Sequence, residues 1–137
     1  MKIFFDTSAY VKKYIFEDGW EKLDGLLADT TAIVVAPVYL LEIRGVIQRK
    51  LRERLITPHQ AYLIKQGVDH DYDYFEKILW DEPLEQSALA LIEKYQLKTL
   101  DSIQLASAHF SKADMFVTSD QKLFQTAKKE IKSAVFI

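Results

Sequence analysis

The tightest constraint on this chain is an alternation. Short runs rich in β-branched and aromatic residues are separated by longer stretches with apolar residues at helical spacing. Residues 2–6 carry Ile3, Phe4 and Phe5 and read as a buried strand. Residues 31–36 (Thr-Ala-Ile-Val-Val-Ala), 114–118 and 134–137 read the same way, and 78–81 is predicted as a further short strand. Thr7 or Ser8 is predicted to cap a helix through Tyr10, Val11, Tyr14 and Ile15, broken at Asp18-Gly19. Further helices are predicted over 20–28, from Pro37 to about Glu53, and over 100–110 and 120–130. Another begins at Thr57-Pro58, with Ile64, Val68, Tyr72, Phe75 and Leu79 as its apolar stripe, and another runs from Pro83 to about Tyr95. The pattern implies an α/β fold in which a mostly parallel sheet of about five strands is flanked by helices. Such sheets bind ligands beyond the carboxyl ends of their strands.

Residues 1–137 are expected to form one domain, since 49% apolar and 28% charged residues are ordinary for a soluble globular chain of this length. The absence of cysteine excludes disulfides, thiolate metal sites and a thiol nucleophile, and it fits a cytoplasmic setting. Asp6 interrupts the first apolar run before it could serve as a signal peptide. No stretch approaches the ~18 apolar residues that a membrane span needs. With a net charge of −2, a nucleic-acid partner would have to be met by a local basic patch.

Four acids stand at the edges of these apolar segments. Asp6 ends the first run, Glu42 lies one to two turns into the helix after the second, Asp101 opens a helix, and Asp120 follows Phe116-Val117-Thr118-Ser119. Carboxylates seldom border buried segments without compensation. Two of them ~5 Å apart repel by roughly 3 kcal/mol at an effective dielectric near 20. A hard divalent cation, Mg²⁺ or Mn²⁺, compensates such a cluster, and the chemistry that follows is phosphodiester hydrolysis by an activated water. Taken singly, an acid of this kind suits an N-cap, a first helical turn or a solvated position, Asp101 above all at its helix N-terminus, whereas the apolar flanks of Glu42 fit that reading least.

The densest basic run is Arg44, Arg49, Lys50, Arg52 and Arg54. Arg49 returns to the helix face of Glu42 seven residues on, whereas Arg44 points roughly opposite. Arg49 and Lys12 are therefore the candidate contacts to an RNA backbone, against a plain solvated surface for the run as a whole. Asp69-His70-Asp71-Tyr72-Asp73 resembles a metal cluster only on paper, because His70 points away from Asp69 and Asp73 on a helix. A solvated polar face with Tyr72 inward is expected there. Of Tyr10, Tyr14, Phe16 and Trp20, core packing is expected to absorb about half, leaving the rest for a partner surface.

Four segments resemble the motifs of PIN-domain ribonucleases, in particular the VapC-type toxins of toxin–antitoxin pairs. They are Phe5-Asp6-Thr7-Ser8-Ala9-Tyr10, Leu41-Glu42-Ile43-Arg44, Leu100-Asp101-Ser102-Ile103-Gln104-Leu105-Ala106 and Val117-Thr118-Ser119-Asp120, in consistent order along the chain. The resemblance implies a PIN-like fold and a Mg²⁺- or Mn²⁺-dependent endoribonuclease. By motif, Asp6, Glu42, Asp101 and Asp120 would form the acidic catalytic and metal site. Thr118 would support the fourth acid or a water, and Thr7 or Ser8 would steady the first. It also implies a small antitoxin as partner, with a segment filling the groove, and a homodimer. Gln104 stands where many relatives carry His, in a supporting position. The rival expectation is a PIN-like module that binds a partner or RNA without cutting.

Overall fold

The computed structural model describes residues 1–137. Five parallel strands, β1 (Lys2–Phe5), β2 (Ala32–Val35), β3 (Glu76–Lys77), β4 (Met115–Thr118) and β5 (Ala134–Phe136), lie in the order β3-β2-β1-β4-β5. The chain runs outward from β1 through β2 to β3, then crosses back to lay β4 and β5 on the other side of β1. The connection therefore changes direction at β1, and the crevice beyond the carboxyl ends of β1 and its neighbours is the natural ligand position in such a sheet.

Alternation along β1 sends its side chains into two cores. Ile3 and Phe5 face one layer, α1 (Thr7–Tyr10), α2 (Trp20–Ala28), α3 (Tyr39–Arg52) and α4 (Pro58–Tyr72), where they meet Tyr10, Leu23, Tyr39, Ile43 and Val68. Phe4 faces α5 (Glu82–Tyr95), α6 (Thr99–Ser111) and α7 (Gln121–Glu130), among Leu84, Leu91, Leu105 and Leu123. α6 is the most deeply buried helix, with eight buried residues from Ser102 to Ser111. None of the helices is long and apolar enough to cross a membrane.

Three boundaries differ from the sequence reading, each for a tertiary reason. The first helix is one turn, followed by a 3₁₀ turn over Val11–Lys13, and Asp6 rather than Thr7 or Ser8 occupies its N-cap position. The two hydroxyls are engaged instead with carboxylates. α4 stops at Tyr72, because Phe75 must turn in against the Tyr10 and Tyr39 rings (centroids 5.1 and 5.7 Å) and Glu76–Lys77 must pair with Val34–Val35. The third strand thus falls at 76–77 instead of 78–81, and Leu79 is exposed. Pro37 and Val38 form a turn ahead of α3, which brings Glu42 into the first turn of that helix. The Thr57 cap is as the sequence predicts, completed by a reciprocal bond between Gln60 and the Thr57 backbone.

Candidate active site

Every one of the four acids sits at the start of a helix at the same edge of the sheet. Asp6 precedes α1, Glu42 is in the first turn of α3, Asp101 in the first turn of α6, and Asp120 is the N-cap of α7. The positive ends of helix dipoles favour negative charge at these positions.

Asp6 is buried, and the pairing of Phe5 with Val117 brings it level with Thr118. Its backbone N–H donates to the Val117 carbonyl at 2.9 Å, extending the β1–β4 ladder by one residue. Its Oδ2 accepts from Ser8 Oγ at 2.6 Å and Thr118 Oγ1 at 2.7 Å. Each hydroxyl in turn accepts a backbone N–H, Ser119 to Ser8 and Asp120 to Thr118, both at 3.0 Å. An ionised carboxylate can only accept, so both hydroxyls donate to Asp6 while their oxygens receive the backbone N–H groups. The Asp120 loop is thereby tied to Asp6.

Glu42 is held by a second set. Gln104 Nε2, from buried α6, donates to Glu42 Oε1 at 2.5 Å and to Thr7 Oγ1 at 3.2 Å, and Thr7 Oγ1 donates to the same Oε1 at 3.2 Å. Gln104 Oε1 is buried without a partner. Asp120 Oδ1 accepts the Leu123 N–H at 2.9 Å, whereas Asp101 makes no side-chain hydrogen bond.

These carboxylates line one open cleft of about 430 Å³, together with Thr7, Ser8, Gly45, Val46, Arg49 and Leu100. None of the four forms an ion pair. Burial pushes the Asp6 carboxyl up to about 6; the Ser8 and Thr118 hydrogen bonds oppose the rise, and the charges of Asp101 and Asp120 add to it. Burial also raises Glu42, against the bonds from Gln104 and Thr7, with the Asp6 and Asp101 charges adding to the rise. Asp101 is raised by burial and by Asp120, with Lys98 and Lys122 opposing. The donors are all oxygen, and their crowding is of the kind a hard divalent cation relieves. No three carboxylate or imidazole groups form a ready-made cage. Mg²⁺, which keeps several of its waters and takes few protein ligands, suits such an open set.

A PIN-domain profile matches residues 3–129. The chain belongs to the PIN-domain family. PIN domains are generally nucleases that use divalent metals. This PIN domain is similar to a chain of a toxin–antitoxin complex from Klebsiella pneumoniae at 20% identity and a TM-score of 0.69, covering 97% of this chain and 95% of that one. It is similar to FitAcB from Neisseria gonorrhoeae at 16% identity and a TM-score of 0.69, covering 98% and 96%. VapBC2 from Rickettsia felis, bound to a DNA fragment from its promoter, is 17% identical with a TM-score of 0.64, covering 91% and 92%. At these identities the likeness is one of fold. No curated protein matches the sequence.

The fold of this PIN domain brings together Asp6, Thr7, Ser8, Glu42, Arg49, Asp101 and Asp120 in the cleft, with Thr118 bonded behind Asp6. It does not bring Lys12 there. That lysine is buried, and its amine donates to the Asp18 carbonyl beside Gly19, so the sequence-based RNA contact at Lys12 is corrected. Gly19 is itself held at φ 97°, where an added Cβ would lie 2.9 Å from the Ile137 carbonyl carbon. Arg44 points to α4 and pairs with Asp69 at 2.7 Å. Asp71 is not solvated as expected but accepts from Lys13 and Tyr14. Two exposed cations near Asp101 escaped the sequence reading, Lys98 and Lys122. The available signal was their spacing, one helical turn before Asp101 and two residues after Asp120.

Proposed function

We propose that this protein is a Mg²⁺- or Mn²⁺-dependent endoribonuclease that hydrolyses RNA phosphodiester bonds, acting in the cytoplasm as the toxin of a type II toxin–antitoxin pair. The observation that carries the reading is the convergence of Asp6, Glu42, Asp101 and Asp120 on one cleft with no cation paired to any of them. Asp6, Glu42 and Asp101 would hold the ion, and Asp120 would complete the set or hold a water. A divalent cation there supplies charge neutralisation at the phosphate and a water of lowered pKa. Ser8 and Thr118 keep Asp6 aimed into the cleft, and Gln104 and Thr7 do the same for Glu42. A small antitoxin covering the groove and a homodimer of the whole 137-residue domain accompany this reading. The fold likeness to chains of toxin–antitoxin complexes supports the partner.

The test is Asp6→Asn. Mn²⁺-dependent cleavage of RNA is expected to vanish while circular dichroism and melting stay native, and full activity in that variant removes the assignment. One observation favours a second reading, a PIN-like module that binds RNA or a partner without cutting: the acids form no ready-made cage. Titration calorimetry separates the two, since the second predicts no divalent binding.

A further inference from the structure

The run Ile78-Leu79-Trp80-Asp81 has the pattern of a strand, yet beyond one bond from Ile78 it pairs with no strand of its own chain. β3 lies at the edge of the sheet and ends at Lys77. We propose that this run is the pairing strand of a twofold dimer, in which two copies of the chain join their β3 edges antiparallel, with Leu79 on the axis, into one continuous sheet. The inference gives the homodimer named above its face. It makes no use of the acidic cleft, so it stands or falls apart from the nuclease reading.

Ile78 donates to the Val35 carbonyl at 3.0 Å, so the chain stays extended against β2 for one residue past Lys77. Alternation then turns the Leu79 N–H and C=O to the outer edge, where neither has a partner. Asp81 is again extended, at φ −145° and ψ 176°. Leu79 is 76% exposed and Trp80 51%, and a free edge that is also apolar is a template for another strand. A twofold interface must complement itself. With Leu79 facing its own copy, Ile78 lies opposite Trp80, an aliphatic–aromatic pair, and Lys77 lies opposite Asp81, a pair of opposite charge. Both charges are available for this. The Lys77 ammonium lies 4.5 Å from the Tyr72 ring centroid and has no acidic partner, while Asp81 pairs with no cation and engages Oδ1 alone, with the Leu84 N–H. Moving the axis to Ile78 sets Lys77 against Leu79 and Glu76 against Trp80, so the charge pair exists only in the register centred on Leu79. The edge thus matches its own reverse, which favours a second copy over an unrelated strand.

The chain has no cysteine, so Leu79→Cys places a single thiol on the axis. Hydrogen-bonded partners of an antiparallel pair stand ~5.5 Å apart at Cα, within the span of a disulfide. Under mild oxidation with glutathione disulfide, dilute Leu79→Cys protein is expected to convert to a cross-linked dimer. Leu55→Cys, at the exposed turn after α3, serves as the control and does not cross-link in the same interval. By sedimentation equilibrium, Leu79→Glu sets like charges against each other on the axis and raises the dimer dissociation constant on the order of 100-fold. Lys77→Glu raises it about 10-fold, by facing Asp81 with a like charge. Circular dichroism stays native in both, since neither side chain is buried. If the unaltered chain dimerises, Leu79→Glu leaves its dissociation constant unchanged and Leu79→Cys fails to cross-link, this face is overturned and the homodimer stands on another. If the unaltered chain is a monomer and Leu79→Cys fails to cross-link, face and homodimer both fall, and the edge is left to an extended segment of a different protein. RNA cleavage by that monomer would keep the nuclease reading.

Discussion

Asp6 and Asp71 occupy matching settings and meet opposite fates. Both are carboxylates held by hydroxyl donors against the same helical layer. Asp71 Oδ2 accepts from Tyr14 at 2.5 Å and also from the Lys13 ammonium at 2.7 Å. Around it the Tyr10, Tyr39 and Phe75 rings pack edge to face with Tyr14 tilted against Tyr10, and burial raises the phenols of Tyr10, Tyr14 and Tyr39, so that Tyr14 stays a protonated donor to Asp71. Asp6 receives Ser8 and Thr118 but no cation, and three further carboxylates face the same cleft. The fold plainly can supply a lysine to a half-buried acid, since it does so at Asp71. Hydrogen bonds alone leave a buried carboxylate poorly compensated, whereas a paired one is a closed structural joint. The absence of a counter-charge at Asp6 is what supports the proposal of a cation site there.

The comparison breaks most sharply on Asp6→Asn. Removing an interaction worth several kcal/mol in the transition state predicts a fall in RNA cleavage on the order of 10³-fold. Melting temperature should hold or rise at neutral pH, because an uncompensated charge has gone. A cleavage rate within tenfold of the original would make Asp6 no different in kind from Asp71.

The next effect concerns pH. With the Asp6 carboxyl near 6 in the folded chain and about 3.9 when unfolded, the folded state binds the proton first. Stability of the cation-free protein therefore rises as pH falls from about 7 through 6, and the gain is complete below the unfolded value, at roughly 3 kcal/mol. A higher melting temperature at pH 5 than at pH 7.5 checks this. Saturating Mn²⁺ at pH 7.5 should close the gap, adding about 2.7 kcal/mol at a hundredfold excess over Kd. A flat melting profile across that range in the absence of cation contradicts the idea.

Gln104→Leu sharpens the contrast from the other acid. It deletes the 2.5 Å bond to Glu42 without adding charge. Divalent affinity by calorimetry and cleavage should both fall by about 10- to 100-fold, the range for residues that orient a metal's ligands. Unchanged affinity would show that Gln104 merely fills the core. The smallest effect is expected at the control site. Asp71→Asn should cost about 1 kcal/mol in chemical denaturation, since the Lys13 partner is partly exposed to solvent and Tyr14 keeps an acceptor. Cleavage there should be untouched, and a large loss would mean that the two acidic sites are coupled.

Much of this molecule is written in short-range chemistry. The strands at Lys2–Phe5, Ala32–Val35 and Met115–Thr118 follow from β-branched and aromatic runs, and the Thr57 cap follows from a hydroxyl just ahead of Pro58. The acids could be picked out because a carboxylate closing an apolar run needs a reason, yet Asp101 in particular also fitted a plain helix start. Both readings describe the same residues: Asp120 caps α7 through Leu123 and also lines the cleft.

What the sequence by itself determined was the alternating α/β order and the identity of the acids, because strand content, caps and apolar spacing act over a few neighbouring residues. Only the tertiary structure decided where β3 pairs, that Lys12 turns inward to Asp18, and that Lys98 and Lys122 stand near Asp101. Those outcomes depend on sheet order and on contacts between residues far apart in the chain, and no local pattern encodes which cation meets which carboxylate across such distances.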